Sequence, residues 1–353
     1  MELIDWRELY ASNRAVIEGR RPMAVGTVVG PPAGAPPGRA RAALPAPSAP
    51  AAGELMALTG NDGRRIFVYA PPGLDPAVPA PMVVMLHGCT QTAASFSAGS
   101  LMNRTADDHG FVVAYPEQSR DENPGCCWNW FATSHQARGA GEPASIAGAV
   151  RTVAERTDRW AVDPARVFVA GMSAGGAMAA VIAATYPDVF AAVAIHSGLA
   201  YGSARTLPAA TQAMRCGGPD PEAQGAAAFA AMGAAARVMP ALVLHGTADG
   251  VVAPVNAEHA VRQWMATNRR AAGGAYDPDF ARADATVRED GAGGLPFTRR
   301  TWHDAHGRVV QQQIEVAGLG HAWSGGKPGG SYTDARGPSA SDAIHAFFAS
   351  VSA

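Results

Sequence analysis

The chain lacks any uninterrupted apolar stretch near the ~20 residues that a membrane-spanning helix needs, so no membrane span is expected. It also lacks runs of like charge, and its formal net charge is only −2, so neither a charged tail nor a basic face for nucleic acid is indicated. The opening residues, Met1-Glu2-Leu3-Ile4-Asp5-Trp6-Arg7-Glu8, are charged and amphipathic. They lack the basic start, apolar middle and small-residue cleavage site of a secretory leader, and the chain as written is expected to stay in the cytoplasm. Cysteine is scarce. Cys89, Cys126, Cys127 and Cys216 are too few and too irregular for a disulfide scaffold or a zinc ribbon. Reduced core thiols are the expectation for a cytosolic chain. Cys89 and Cys127 would each follow a neighbouring strand, and they are the pair whose positions admit a single bridge.

What is present is ample apolar material: 48% of 353 residues, enough to bury a sizeable core. Residues 31–52 are rich in proline, alanine and glycine and read as an extended tether. Residues 3–18 could form a short amphipathic helix, docked or free. The expected division is therefore an N-terminal arm over 1–53 and a catalytic domain over 54–353. Within the latter, strands are expected at Arg65–Ala70, Met82–Leu86, Phe111–Tyr115, around Val167, at Ala191–Ile195, Ala241–His245 and Val309–Val316. Helical spacing marks Ser145–Asp158, the stretch after Ser173, and a closing helix from Ser341-Asp342 that carries Ile344, Phe347 and Phe348. Residues 266–300 read as a surface excursion. Strands alternating with helices predict an α/β fold with a mostly parallel sheet covered on both faces. Ligands of such sheets gather at the carboxyl ends of the strands.

The most informative stretch is Gly171-Met172-Ser173-Ala174-Gly175, between a strand-like and a helix-like run. A serine so placed sits on a sharp turn with its hydroxyl pushed outward. That hydroxyl needs a base, and the base needs an orienting group. Leu244-His245-Gly246-Thr247-Ala248-Asp249 puts a carboxylate just past a buried strand, and Gly318-Leu319-Gly320-His321-Ala322-Trp323 puts an imidazole after the last strand. The order Ser173, Asp249, His321 is that of the nucleophile-elbow hydrolases. Asp304 and Asp334 are the alternative acids. Oxyanion donors are expected from the amide of Ala174 and from that of Cys89, after the strand that ends in Leu86-His87-Gly88-Cys89. His87 and His245 end strands and read as structural.

The segments His87-Gly88-Cys89-Thr90-Gln91, Cys127-Trp128-Asn129-Trp130-Phe131, Gly171–Met178 and Gly320-His321-Ala322-Trp323 resemble those of polyhydroxybutyrate depolymerase-type esterases. These are α/β-hydrolases related to feruloyl and acetylxylan esterases. The resemblance implies Ser173, Asp249 and His321 as a triad, the amides of Cys89 and Ala174 as an oxyanion hole, and a substrate groove near Trp128, Trp130, Trp323 and Gln91. It implies hydrolysis of hydroxyalkanoate polyesters or their oligomers through an acyl-serine, with no cofactor or metal. Secreted relatives make an extracellular location the alternative to the cytoplasm. Rival readings are a feruloyl or acetylxylan esterase, a peptidase on the same fold, and a non-catalytic binding module. His303 and His306 are a weak metal signal, and Gly325–Gly330 reads as a mobile rim beside His321. The partner expected is a small or polymeric ester, with neither nucleic acid nor membrane. The oligomeric state is left open.

Overall fold

The apolar runs of the sequence pair side by side in one twisted sheet of a computed structural model, which describes residue 53 and residues 55–273, 282–291 and 294–352. The helix expected at 3–18 and the tether at 31–52 lie outside those residues. In chain order the strands of this sheet are β1 (Leu55–Thr59), β2 (Arg65–Tyr69), β3 (Pro79–Leu86), β4 (Val112–Pro116), β5 (Ala161–Met172), β6 (Ala192–His196), β7 (Ala241–Gly246), β8 (Ala285–Glu289), β9 (Phe297–His303) and β10 (Val309–Val316). Their spatial order is β1-β2-β4-β3-β5-β6-β7-β10-β9-β8. The six central strands, β4 to β10, run parallel, and an antiparallel pair closes each edge. This is the α/β-hydrolase architecture expected above.

Among the described residues eight helices cover the sheet: α1 (Ala93–Ser100), α2 (Met102–His109), α3 (Gly141–Ala154), α4 (Ala174–Thr185), α5 (Leu207–Cys216), α6 (Pro221–Met232), α7 (Val255–Ala271) and α8 (Ala340–Ser350). The central strands are apolar throughout because both of their faces are covered. Met82, Val84 and Leu86 of β3 pack in one core layer with α3, α4, α6 and α7. Val83 and Met85 pack in the other, with α1, α2 and α8. Every residue of α4 is buried, as its all-round apolar sequence requires.

The described parts of residues 266–300 are only in part the surface excursion expected. The stretch begins inside α7, where Ala266, Thr267 and Asn268 are buried, and then supplies β8 and part of β9. These strands carry no clean apolar alternation, because they lie at the sheet edge: β8 is exposed throughout, and in β9 only Trp302 is buried. Among the described residues no helix is long and apolar enough to cross a membrane.

One contact sets the spacing of the parallel strands around α4. A side chain at Gly175 would begin 2.0 Å from the carbonyl oxygen of Leu86, at the end of β3. At Gly171 it would begin 2.3 Å from the carbonyl oxygen of Gly175. Neither obstacle is a flexible side chain, so neither can give way. Gly175→Ala should therefore lower unfolding stability by about 3 kcal/mol or more in urea titrations, and a parental midpoint would contradict this packing.

Candidate active site

Ser173 joins β5 to α4 with φ 57° and ψ −121°, a left-handed strain that a non-glycine residue tolerates only when its surroundings impose it. Its N–H donates to the His196 carbonyl oxygen at 2.9 Å, which anchors the turn to the end of β6. The amide of Ala174 follows directly and opens α4, whose first-turn N–H groups lack intrahelical acceptors.

Asp249 lies on the loop after β7 and His321 on the loop after β10. Gly246 makes their meeting feasible: a side chain there would begin 2.1 Å from the Leu319 carbonyl oxygen. The loops are laced by Ala248 N–H to Leu319 O at 3.0 Å and by Gly318 N–H to Thr247 Oγ1 at 2.9 Å. His321 Nδ1 then lies 2.8 Å from Asp249 Oδ2, with both side chains buried. Asp249 Oδ1 accepts from the N–H groups of Val251 and Val252, each at 2.9 Å. Burial alone would raise the Asp249 carboxyl, but the imidazoles of His321 and His245 outweigh it and hold it well below the usual carboxylate range.

Ser173, Ala174, Cys89 and His321 share one cavity of about 280 Å³. Its walls include Trp130, Phe131, Leu199, Met214 and Val252, and among the described residues no Asp, Glu, Lys or Arg lines it. Cys89 and Cys127 are joined by a disulfide, which corrects the expectation of reduced thiols; Cys126 and Cys216 are free. The bridge ties the turn after β3 to the cavity wall at 123–131. Behind that wall Glu142 accepts from the N–H and the Nδ2 of Asn129, each at 2.7 Å, and from Gln118 Nε2. Burial pushes the Glu142 carboxyl up. Neither Glu142 nor Gln118 carries a motif signal in the sequence.

The family model described as Esterase PHB depolymerase matches residues 65–290. This chain belongs to that family. It is 35% identical over 268 residues to poly(3-hydroxyalkanoate) depolymerase C of Paucimonas lemoignei, covering 74% of this chain and 59% of that protein. It is 33% identical over 207 residues to feruloyl esterase B of Thermothelomyces thermophilus, covering 57% of this chain and 69% of that protein. Among solved structures, the acetyl xylan esterase from Aspergillus awamori superposes with a TM-score of 0.66 at 25% identity, covering 84% of this chain and 99% of the other. The chain thus spans less than two thirds of the depolymerase.

Several expected site residues of this family member lie elsewhere. Trp128 is fully enclosed in the core beneath the Arg64 guanidinium, 5.2 Å from its ring centre. Trp323 is enclosed on the opposite face of the sheet, edge-on to Phe96 at 5.3 Å and stacked on His196 at 4.9 Å. Neither lines the cavity. Trp130 does, because the turn closed by Ala132 N–H to Asn129 O at 2.9 Å swings it away from Trp128. Gln91 touches the cavity, but its amide is engaged within the fold: Oε1 accepts from Gly88 N–H at 2.9 Å and Nε2 donates to Ser331 O at 2.9 Å. Asp304 and Asp334 are bound to Arg308 and Arg336 and do not line the cavity. His303 faces Asp284, and no group of three potential metal ligands occurs among the described residues.

The glycine-rich stretch after His321 is not a free rim. Lys327 N–H donates to Gly99 O at 2.8 Å, and a side chain at Gly326 would begin 2.7 Å from that same oxygen. From this loop Tyr332, at φ 51°, reaches Thr90 with hydroxyl oxygens 3.4 Å apart across the cavity mouth. His196 has no signal in the sequence either. Burial, aided by His245 and His321, pushes its imidazole down to about 3, and its Nε2 accepts from Ser324 N–H at 3.1 Å.

The two tryptophans separate experimentally. Trp128→Ala should cost about 3–5 kcal/mol of unfolding free energy. Trp130→Ala should instead raise KM for a short-chain p-nitrophenyl ester roughly fivefold or more. The reverse pattern would return Trp128 to the substrate wall.

Proposed function

We propose that this protein is a serine carboxylic-ester hydrolase in which Ser173, Asp249 and His321 form the catalytic triad. His321 takes the Ser173 proton as the hydroxyl attacks the ester carbonyl, and later delivers it to the leaving alcohol. A water deprotonated by the same imidazole then releases the acid from the acyl-serine. The amides of Cys89 and Ala174 are assigned to the oxyanion. Asp249 remains ionised and keeps the His321 Nδ1 proton directed toward it.

The observation that carries this reading is the buried Asp249–His321 pair, opening onto the same cavity as a serine held at a strained elbow. That none of the described residues lining the cavity carries a formal charge favours a neutral, largely apolar acyl group. Hydroxyalkanoate esters, as polymer or as oligomers, meet that description, and the likeness to the depolymerase supports the same class. The second reading, an acetyl or feruloyl ester on a carbohydrate, is supported by the superposition that spans nearly all of the acetyl xylan esterase. The Cys89–Cys127 bridge favours an oxidising compartment, and so the extracellular location over the cytoplasm. The catalytic domain is taken as 54–353, preceded by the arm.

Ser173→Ala should cut turnover of p-nitrophenyl butyrate by about 10⁴-fold or more, and Asp249→Asn by several orders of magnitude. Asp304→Asn should stay near the parent. A Ser173→Ala variant that keeps most of its activity would overturn the assignment, and silence of the parent toward all activated esters would favour a binding module. Parallel assays on hydroxybutyrate oligomers, polymer film, acetylated xylan and methyl ferulate rank the substrate classes.

A further inference from the structure

We propose that His245 is a positioning residue for this reaction, holding the Asp249 carboxylate and its loop so that the carboxylate meets His321 in one fixed geometry. The inference rests on the role proposed for Asp249 above. His245 closes β7, and its side chain is 3% exposed. Its Nε2 lies 2.8 Å from the Val252 carbonyl oxygen and 3.3 Å from Asp249 Oδ2. Both of these atoms only accept, so the tautomer that satisfies them carries its proton on Nε2. Nδ1 has no hydrogen-bond partner among the described residues.

These bonds close a small circuit. Asp249 Oδ1 is held by the amides of Val251 and Val252, the Val252 carbonyl is held by His245, and the His245 ring lies against Oδ2. Both imidazoles therefore stand beside one carboxylate oxygen: His321 Nδ1 is 2.8 Å from it, and His245 Nε2, whose N–H donates to the Val252 carbonyl oxygen, is 3.3 Å from it. The positive end of the His245 N–H dipole lies against the same negative charge, so it reduces what the oxygen offers His321. Removing the His245 donor has two consequences at Asp249. The loop loses its tie, so the carboxylate is less well fixed and turnover falls. Oδ2 then serves His321 alone, stabilises its protonated form more, and moves the acid limb of kcat/KM to higher pH.

The other charged groups near His245 offset one another. Behind it, a cavity is lined by Glu258 and Arg262 of α7, Arg300 of β9 and Glu315 of β10. Arg262 pairs with Glu258 at 3.7 Å and Arg300 with Glu315 at 3.4 Å. His196 is the remaining imidazole beside this group, and burial keeps it uncharged.

The test compares His245→Leu and His245→Gln with the parent in pH profiles of p-nitrophenyl butyrate hydrolysis, with folding checked by circular dichroism. The Gln amide nitrogen can occupy the place of Nε2 and keeps one donor. His245→Leu should lose roughly tenfold or more in kcat, with KM within about threefold of the parent and the acid limb shifted upward. His245→Gln should recover most of the kcat and the parental limb. Should the Leu variant not fold, His245→Asn, whose donor falls short of both acceptors, takes its place with the same expectation. A folded Leu or Asn variant with parental kcat and limb would overturn the inference alone, as would Gln and Leu variants equally impaired with unshifted limbs. Full activity in Asp249→Asn, run alongside, would overturn the acid assignment and this inference with it.

Discussion

The carbonyl oxygen of Leu86 occupies the place where any side chain at position 175 would begin, and the two halves of the site are positioned by that exclusion. Because only a hydrogen fits between them, the first turn of α4 lies directly against the end of β3. The turn carrying Ser173 and the turn carrying Cys89 leave from those same two points. A second exclusion, at Gly246 against Leu319, does the same for the loops of Asp249 and His321. Backbone pressed on backbone sets these distances, and backbone does not adjust as side chains do. The site is thus spaced by backbone contacts rather than by the fit of side chains.

The second constraint is dryness. His87, His196, His245, Asp249, His321 and Glu142 are all buried. A buried polar group left without a partner is costly, so each of these fixes the orientation of its neighbours through the bonds it makes. His87 shows the pattern: its Nε2 accepts from Gln118 N–H at 3.1 Å and its Nδ1 donates to Gly88 O at 2.8 Å. The turn after β3 is thereby held from behind as well as by the disulfide in front. Strand-end histidines act as clamps on both sides of the serine.

Much of the fold was legible because the central strands are buried on both faces and so read as unbroken apolar runs. The edges were not. β8 and β9 pack on little, and their Arg, Thr and Glu residues resemble a loop. Ser173, Asp249 and His321 could be picked out because each follows a strand end and glycines surround each turn. Trp128 and Trp323 were misjudged, and Trp130 was not, because an aromatic in a motif carries the same letter whether it faces a cavity or a core. Only the turn at Asn129–Ala132, invisible in composition, separates Trp130 from Trp128. Glu142 and His196 escaped notice for a related reason: their partners lie on other elements, and no local spacing betrays them.

Of the indoles described here, Trp130 faces the cavity, whereas Trp128, Trp264 and Trp323 are sealed in the core. The cavity therefore carries its own optical label, and these three other emitters are screened from the solvent. An occupant of the cavity meets one fluorophore and leaves the enclosed ones unchanged, so light emission can follow filling of the pocket separately from unfolding.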